Sequence, residues 1–275
     1  MRDVAVDDDL IFDVGMHRGQ DTAYYLAMDY RVIAFEANPD LVEECRSRFE
    51  LAIEAGMLTI VEGAIADPGK SLVPFYKPLR NEPVDLTSMG STDPDWLKSK
   101  VGRTPIMEIG VPAIDLAACI ARFGMPFYLK VDIEGADRLC LEALAVFDVS
   151  PRWLSLEAER RRFDLLCAEL DLLERLGYDR FMAVPQEIER TALRTESRSG
   201  EVVLYSFDPW ASGPFGDDLT GEWLSRDAVE RIYRHAFRRR RLFERLDRRR
   251  SGRILKALTP RLERRYYDTH AKQRA

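Results

Sequence analysis

The stretch LIFDVGMHRGQDT, residues 10–22, decides the fold of this chain. Its first five residues are apolar apart from Asp13, so they suit a strand buried on both faces. Two glycines, Gly15 and Gly19, follow at once, and a helical pattern opens at residue 21. Strand, tight turn and helix N-terminus is the reading. Glycine serves where a backbone must bend sharply or lie close to a ligand. The free amide groups of the first helical turn favour a carboxylate or phosphate. A nicotinamide-type turn would read GxGxxG, because the pyrophosphate must approach bare backbone, and only two suitably placed glycines are present.

The pattern that suits adenosylmethionine is an acid followed by glycines two, four and six positions later, the acid holding the positively charged amino group of the methionine moiety. Asp13, Gly15 and Gly19 match it, and His17 takes the place of the middle glycine. The second strand, RVIAFE at 31–36, ends in Glu36, where a carboxylate can accept both hydroxyl protons of a ribose. The expected cofactor is therefore S-adenosyl-L-methionine. Asp13, Gly15, His17, Gly19, Asp21 and Thr22 are its expected contacts from the first turn, Glu36 and Ala37 from the second strand, and Glu62 and Ala64 from the third. The competing reading makes Asp13 a cap of its own turn and Glu36 a cap, with Asn38, of the next helix.

Outward from this unit, short apolar runs alternate with helical patterns through residue 210, which predicts an α/β fold with a parallel sheet covered by helices. MLTIVEG (57–63), PFYLKVD (126–132), RWLSLEAE (152–159), YDRFMAV (178–184) and EVVLYSF (201–207) read as strands three to seven. Helices are expected over 21–28, over 39–55 with Asn38 as N-cap and Pro39 in the first turn, and over 163–176 with Gly177 as the stop. Residues 68–112 break the alternation and read as an irregular insertion, either a lid or a surface elaboration. The expected domains are a Rossmann-like unit over 1–212 and a basic helical C-terminal extension over 213–275. In the extension Ser225 precedes a helix whose Val229, Ile232, Tyr233, Ala236 and Phe237 share one stripe.

DVGMHRGQDT (13–22), VIAFEANPD (32–40) and YLKVDIEGAD (128–137) together resemble the FkbM family of methyltransferases. The resemblance covers roughly residues 10–160 in order, and KVDIEG is its most specific part. It implies a Rossmann-like methyltransferase sheet of order 3-2-1-4-5-7-6 and O-methylation of hydroxyls on sugars or natural products. The chain departs from the family at His17, where Asn is more frequent, and at Asp137, where Glu is more frequent.

Methyl transfer to oxygen needs an aligned hydroxyl and a base for its proton. Residues two apart on strand four share a face, which puts Tyr128, Lys130 and Asp132 in one row, with Glu134 opening the turn beyond. Asp132 or Glu134 is the expected base and Lys130 its electrostatic partner. His17 is a further candidate, since imidazole titrates near neutrality. Two alternatives stay open. Lys130 and Asp132 can form a structural ion pair, and Asp132, Glu134 and Glu157 can hold a divalent cation, although no ligand spacing singles out a metal site. The chain lacks the (Asp/Asn)-Pro-Pro-(Tyr/Phe) motif of many amino-group methyltransferases and a Pro-Cys nucleophile.

Charge divides the chain. Residues 226–275 carry 18 Lys plus Arg against 6 acids, so a net charge of −6 hides a tail near +12 and a body near −18. The tail can dock on the acidic body or on a second copy, lie on an anionic membrane surface, or bind RNA, in that order of expectation. The four cysteines form no CxxC pair and read as reduced packing residues. No secretory signal or membrane-length apolar run is visible, so cytoplasmic residence is expected. The expected partner is a small-molecule or glycan acceptor. An RNA methyltransferase using the tail, or a non-catalytic adenosine-binding module, are the rival functions.

Overall fold

The computed structural model describes residues 4–79, 88–133, 136–186, 192–208, 210–247 and 267–273. Its strands are β1 (Val6–Val14), β2 (Arg31–Glu36), β3 (Leu58–Glu62), β4 (Ala64–Ile65), β5 (Leu72–Pro78), β6 (Ile106–Ile114), β7 (Met125–Val131), β8 (Trp153–Glu157), β9 (Tyr178–Pro185), β10 (Leu193–Glu196), β11 (Val202–Tyr205) and β12 (Tyr267–Gln273). Seven of them form one sheet in the order β3-β2-β1-β7-β8-β12-β9. The α/β class is as the alternation predicts. The chain divides into two compact units, Met1–Leu154 with Arg190–Pro214, and Ser155–Glu189 with Phe215–Ala275.

In the first unit β3, β2, β1 and β7 pair in parallel. β1 and β2 end in near-continuous apolar runs because both faces of a parallel sheet are covered. The helix Gln20–Ala27 follows β1, and Pro39–Arg48 follows β2 with the Asn38 side chain accepting from the Asp40 amide at 3.2 Å. The predicted single helix over 39–55 is two, Pro39–Arg48 and Glu50–Glu54, interrupted at Phe49.

Residues 68–112 are more regular than the sequence suggests. β5 and β6 pair antiparallel, β6 also pairs with β4, and the helix Pro94–Val101 is capped by the Asp93 carboxylate. Pro74 and Pro78 disguise β5, but a proline is tolerated on an edge strand, and β5 is the edge of the order β4-β6-β5. Val73 and Phe75 pack there with Ala64 and Val111, while Trp96, Leu97 and Val101 form a second small core.

EVVLYSF does not enter the main sheet. Its β11 pairs only with β10, as an antiparallel hairpin, and Val202 and Leu204 face outward, 60% and 74% exposed. The hairpin is held to its own unit by Asp29, which accepts from the Ser197 and Ser199 hydroxyls at 2.7 and 2.6 Å, and by Tyr205 and Phe207 packing on Tyr24.

The place expected for the seventh strand is filled by β12, which pairs antiparallel with β9 in the second unit. Its sequence, YDTHAKQ, has no apolar run, yet Asp268, Thr269 and His270 are buried. Two of these find polar partners inside the unit. Thr269 is 2.6 Å from the Tyr233 hydroxyl, and Asp268 accepts from the Gln186 amide at 2.6 Å. The basic extension is therefore not helical throughout. Its helix, Arg226–Asp247, buries Val229 and Tyr233 and packs Phe237 against Phe163, while Ile232 lies toward solvent. Arg226 meets Asp171 at 2.5 Å and also pairs with Glu230. The helix Phe163–Arg175 ends before Gly177, whose φ is 93°.

Cys45, Cys119, Cys140 and Cys167 are all free thiols. Among the described residues no helix is long and apolar enough to cross a membrane.

Candidate functional site

β1, β2 and β7 end side by side in the first unit, and the loops that leave them enclose a cavity of about 300 Å³. The turn after β1 forms its floor. Gly15 has φ 89° and Gly19 φ 76°, and His17 itself adopts a left-handed φ of 53°. A β-carbon on Gly15 would lie 1.9 Å from the Asp132 carbonyl oxygen, and one on Gly19 would lie 2.4 Å from the Phe49 ring. Backbone contact forces glycine at the first position. His17 pays the conformational cost of a left-handed residue, on the order of 1 kcal/mol or more. The Cys45 thiol donates to the His17 carbonyl at 3.3 Å, and Arg48 donates to the carbonyl of Arg18 at 2.5 Å.

Glu36 links the two loops. One carboxylate oxygen accepts from the His17 amide at 2.8 Å and the other from the Asn38 amide at 2.7 Å. Burial pushes its pKa from the usual 4.5 up to about 7, against the opposing pull of the Asn38, His17 and Ala37 amides and of Lys130. A carboxylate has about four acceptor positions, so two amides leave it able to accept further donors from the cavity. Burial likewise lowers the pKa of His17, whose Nδ1 lies 3.4 Å from the Gln20 side-chain oxygen.

Beneath the turn is a buried charge cluster. Asp13 and Lys130 are register partners across β1 and β7, and Lys130 Nζ lies 3.1 Å from Asp13 and 3.3 Å from Asp21 while donating to the Gly15 carbonyl at 2.9 Å. Burial alone would favour the neutral amine, but Asp13 and Asp21 hold Lys130 charged, with its pKa well above the ordinary lysine value. Desolvation raises Asp13 above the usual carboxylate range even though Lys130 lowers it. Thr22 donates to the other Asp13 oxygen at 2.6 Å, and Asp21 accepts from the Ser212 amide at 2.6 Å. Two carboxylates around one ammonium leave the cluster acidic.

The sequence-predicted residues fall into three groups. Gly15, His17, Asp21, Glu36, Ala37, Ala64, Lys130 and Asp132 line the cavity. Asp13, Gly19 and Thr22 lie behind that wall, with Asp13 and Thr22 fully buried and paired to each other. Glu62, the last residue of β3, is absent from the wall and pairs with Arg46 at 3.1 Å. Glu134 lies outside the described residues. Asp132 is half-buried, and its carboxylate makes no hydrogen bond or ion pair with another described residue. The Lys130–Asp132 ion pair considered from the sequence gives way to Lys130–Asp13–Asp21. Glu157 accepts from Arg160 at 2.8 Å, and among the described residues no group of three or more His, Cys, Asp or Glu gathers as metal ligands.

Other wall residues carried no signal in the sequence. Phe35, Leu41, Gly63 and Ile65 add apolar surface near Glu36 and Ala37. Positions of residues 88–92 and 210–212, which bring Met89, Ser91 and Trp210 to the cavity, are set by tertiary contacts and have no local pattern.

No protein of curated function matches the chain. Among solved structures it is similar to the precorrin-6y C5,15-methyltransferase of Geobacter metallireducens GS-15, at 16% identity over 73% of this chain and 77% of that one, TM-score 0.34. It is also similar to the precorrin 8W decarboxylase of Methanobacterium thermoautotrophicum, at 14% identity over 72% and 76%, TM-score 0.36. A third is the C-terminal domain of the precorrin-6Y C5,15-methyltransferase of Rhodobacter capsulatus, at 12% over 73% and 76%, TM-score 0.37. The decisive match is in sequence, where the Methyltransferase FkbM domain family aligns with residues 13–180, from Asp13 near the end of β1 into β9. That span contains the glycine turn, Glu36, Lys130 and Asp132, so the chain belongs to the FkbM methyltransferase family.

Proposed function

We propose that the protein uses S-adenosyl-L-methionine to methylate a hydroxyl of a sugar, glycan or natural product. The observation that carries this reading is that one cavity is lined by the Glu36 carboxylate, by Asp21 and Lys130 of the acidic cluster, and by Asp132. The donor set fits the cofactor's chemistry. Glu36, fixed by two backbone amides, accepts from vicinal ribose hydroxyls, while Ala37, Leu41 and Ile65 offer apolar surface to adenine. Asp21, with the negative excess of the cluster behind it, receives the methionine ammonium. Asp13 acts one layer deeper, by holding Lys130 and Thr22 in place. When bound, the cofactor supplies a methyl group on an electron-poor sulfonium.

The chain's own part in the chemistry is alignment and proton removal. Asp132 takes the proton of the acceptor hydroxyl and afterwards returns it to solvent. His17, kept toward its neutral form by burial, orients the turn and the Glu36 carboxylate through its amide. Incubation with methyl-labelled cofactor and a panel of glycans and polyhydroxylated small molecules tests this reading. Label is expected in an alkali-stable ether, and Asp132→Asn is expected to lose turnover at least 100-fold while keeping cofactor affinity within a few-fold. Label in RNA instead, or full turnover by the variant, overturns it.

A further inference from the structure

Three features of the cavity lining are left unused by the cofactor reading. Trp210 is 72% exposed although it lines the cavity. Its loop is nonetheless held in place. The Asp208 side chain accepts from the Trp210 amide at 2.9 Å, the Asp208 carbonyl accepts from the Ala211 amide at 3.0 Å, and Asp21 accepts from the Ser212 amide at 2.6 Å. An indole presented to water by an anchored loop gains nothing for folding, and it suits a flat apolar ligand face.

The second feature is Trp96, whose buried ring carries Lys100 over its face, with Nζ 4.8 Å from the ring centroid. Both residues line the same cavity. The third is charge. Of the cations on the wall, Arg18 is neutralised by Glu44 at 2.5 Å and Lys130 by Asp13 and Asp21. Lys100 has no carboxylate at ion-pair distance among the described residues, since the nearby helix pair joins Asp95 to Lys98 instead. Among the described residues its ammonium is thus left open to an anion.

We propose that Trp210 and Lys100, which line this one cavity, form the acceptor subsite, built for a ring with an apolar face and an anionic substituent, such as a uronic acid or a sugar phosphate. Trp210 stacks on the ring, and Lys100 pairs with the carboxylate or phosphate. The assignment rests on the methyltransferase reading of the same cavity and narrows its substrate class.

Calorimetric titration of the full chain with glucuronate, glucose 6-phosphate and glucose tests it. At least one anionic probe is expected to bind at least 10-fold more tightly than glucose, and comparing the two separates a carboxylate from a phosphate preference. Lys100→Gln is expected to erase that preference, and Trp210→Ala to weaken the anionic probe at least 5-fold. Equal affinity for glucose, no binding of either anionic probe, or an unchanged preference in Lys100→Gln overturns the proposal. Adenosylmethionine, titrated separately into the parent chain and both variants, is expected to bind alike in all three, which shows that the variants fold. Its failure to bind the parent contradicts the cofactor reading and leaves the anion result to stand or fall by itself.

Discussion

The Lys130 ammonium lies 3.1 Å from the carboxylate of Asp13, its register partner on the adjacent strand, and both side chains are buried. Neither group has water to replace the other, so removal of one leaves an uncompensated buried charge. Lys130→Met is expected to destabilise the fold by about 3–5 kcal/mol. The double variant Lys130→Met with Asp13→Asn is expected to recover part of that loss. Urea denaturation of the three proteins checks the prediction, and additive losses in the double variant would contradict the pairing.

Glu36 gives a pH signature. Because its pKa rises from 4.5 to about 7 on folding, the native state binds more protons than the unfolded chain between those values. The contribution of this group to stability therefore falls as pH increases through that window and is level above it. Thermal denaturation of the ligand-free protein across pH 4.5 to 7 reads this, and Glu36→Gln is expected to flatten the slope. Affinity for a ligand that donates to the ionised carboxylate runs the other way, rising as pH passes about 7.

Gly15 can accept no side chain. Its φ of 89° and the 1.9 Å approach of a β-carbon to the Asp132 carbonyl oxygen oppose substitution independently. Gly15→Ala is expected to cost at least about 2 kcal/mol, and to push the loop carrying Asp132 off its position. A melting curve and an adenosylmethionine titration of the variant measure both effects.

The hydrogen bond between Tyr233 and Thr269 joins the basic helix to β12. Tyr233→Phe leaves the buried Thr269 hydroxyl without this partner and is expected to cost about 1–3 kcal/mol. Hydrogen exchange on β12 is expected to accelerate in the variant while exchange on β1 and β2 is unchanged.

What the sequence revealed follows from where burial leaves a local mark. β1, β2 and β7 are covered on both faces and read as apolar runs that end in Asp13, Glu36 and Asp132, so the strand ends and their acids stood out. β12 left no such mark, because its buried Asp268, Thr269 and His270 are polar, and Asp268 and Thr269 are held by polar partners. EVVLYSF misled for the opposite reason, since Val202 and Leu204 are apolar yet face water. In the site, the sequence identified Asp13 but not its depth. The register that sets it opposite Lys130 is a property of the assembled sheet, and the approach of Trp210 to the cavity is likewise a tertiary property.

The central claim, that Glu36 and the turn from Asp13 to Gly19 form an adenosylmethionine site, is tested most directly by calorimetry of the full chain with adenosylmethionine and, in parallel, with NAD. Saturable binding of adenosylmethionine, weakened at least 10-fold by Glu36→Ala, with no binding of NAD, is the predicted result. No heat from adenosylmethionine at millimolar concentration, or equal binding of NAD, would contradict it.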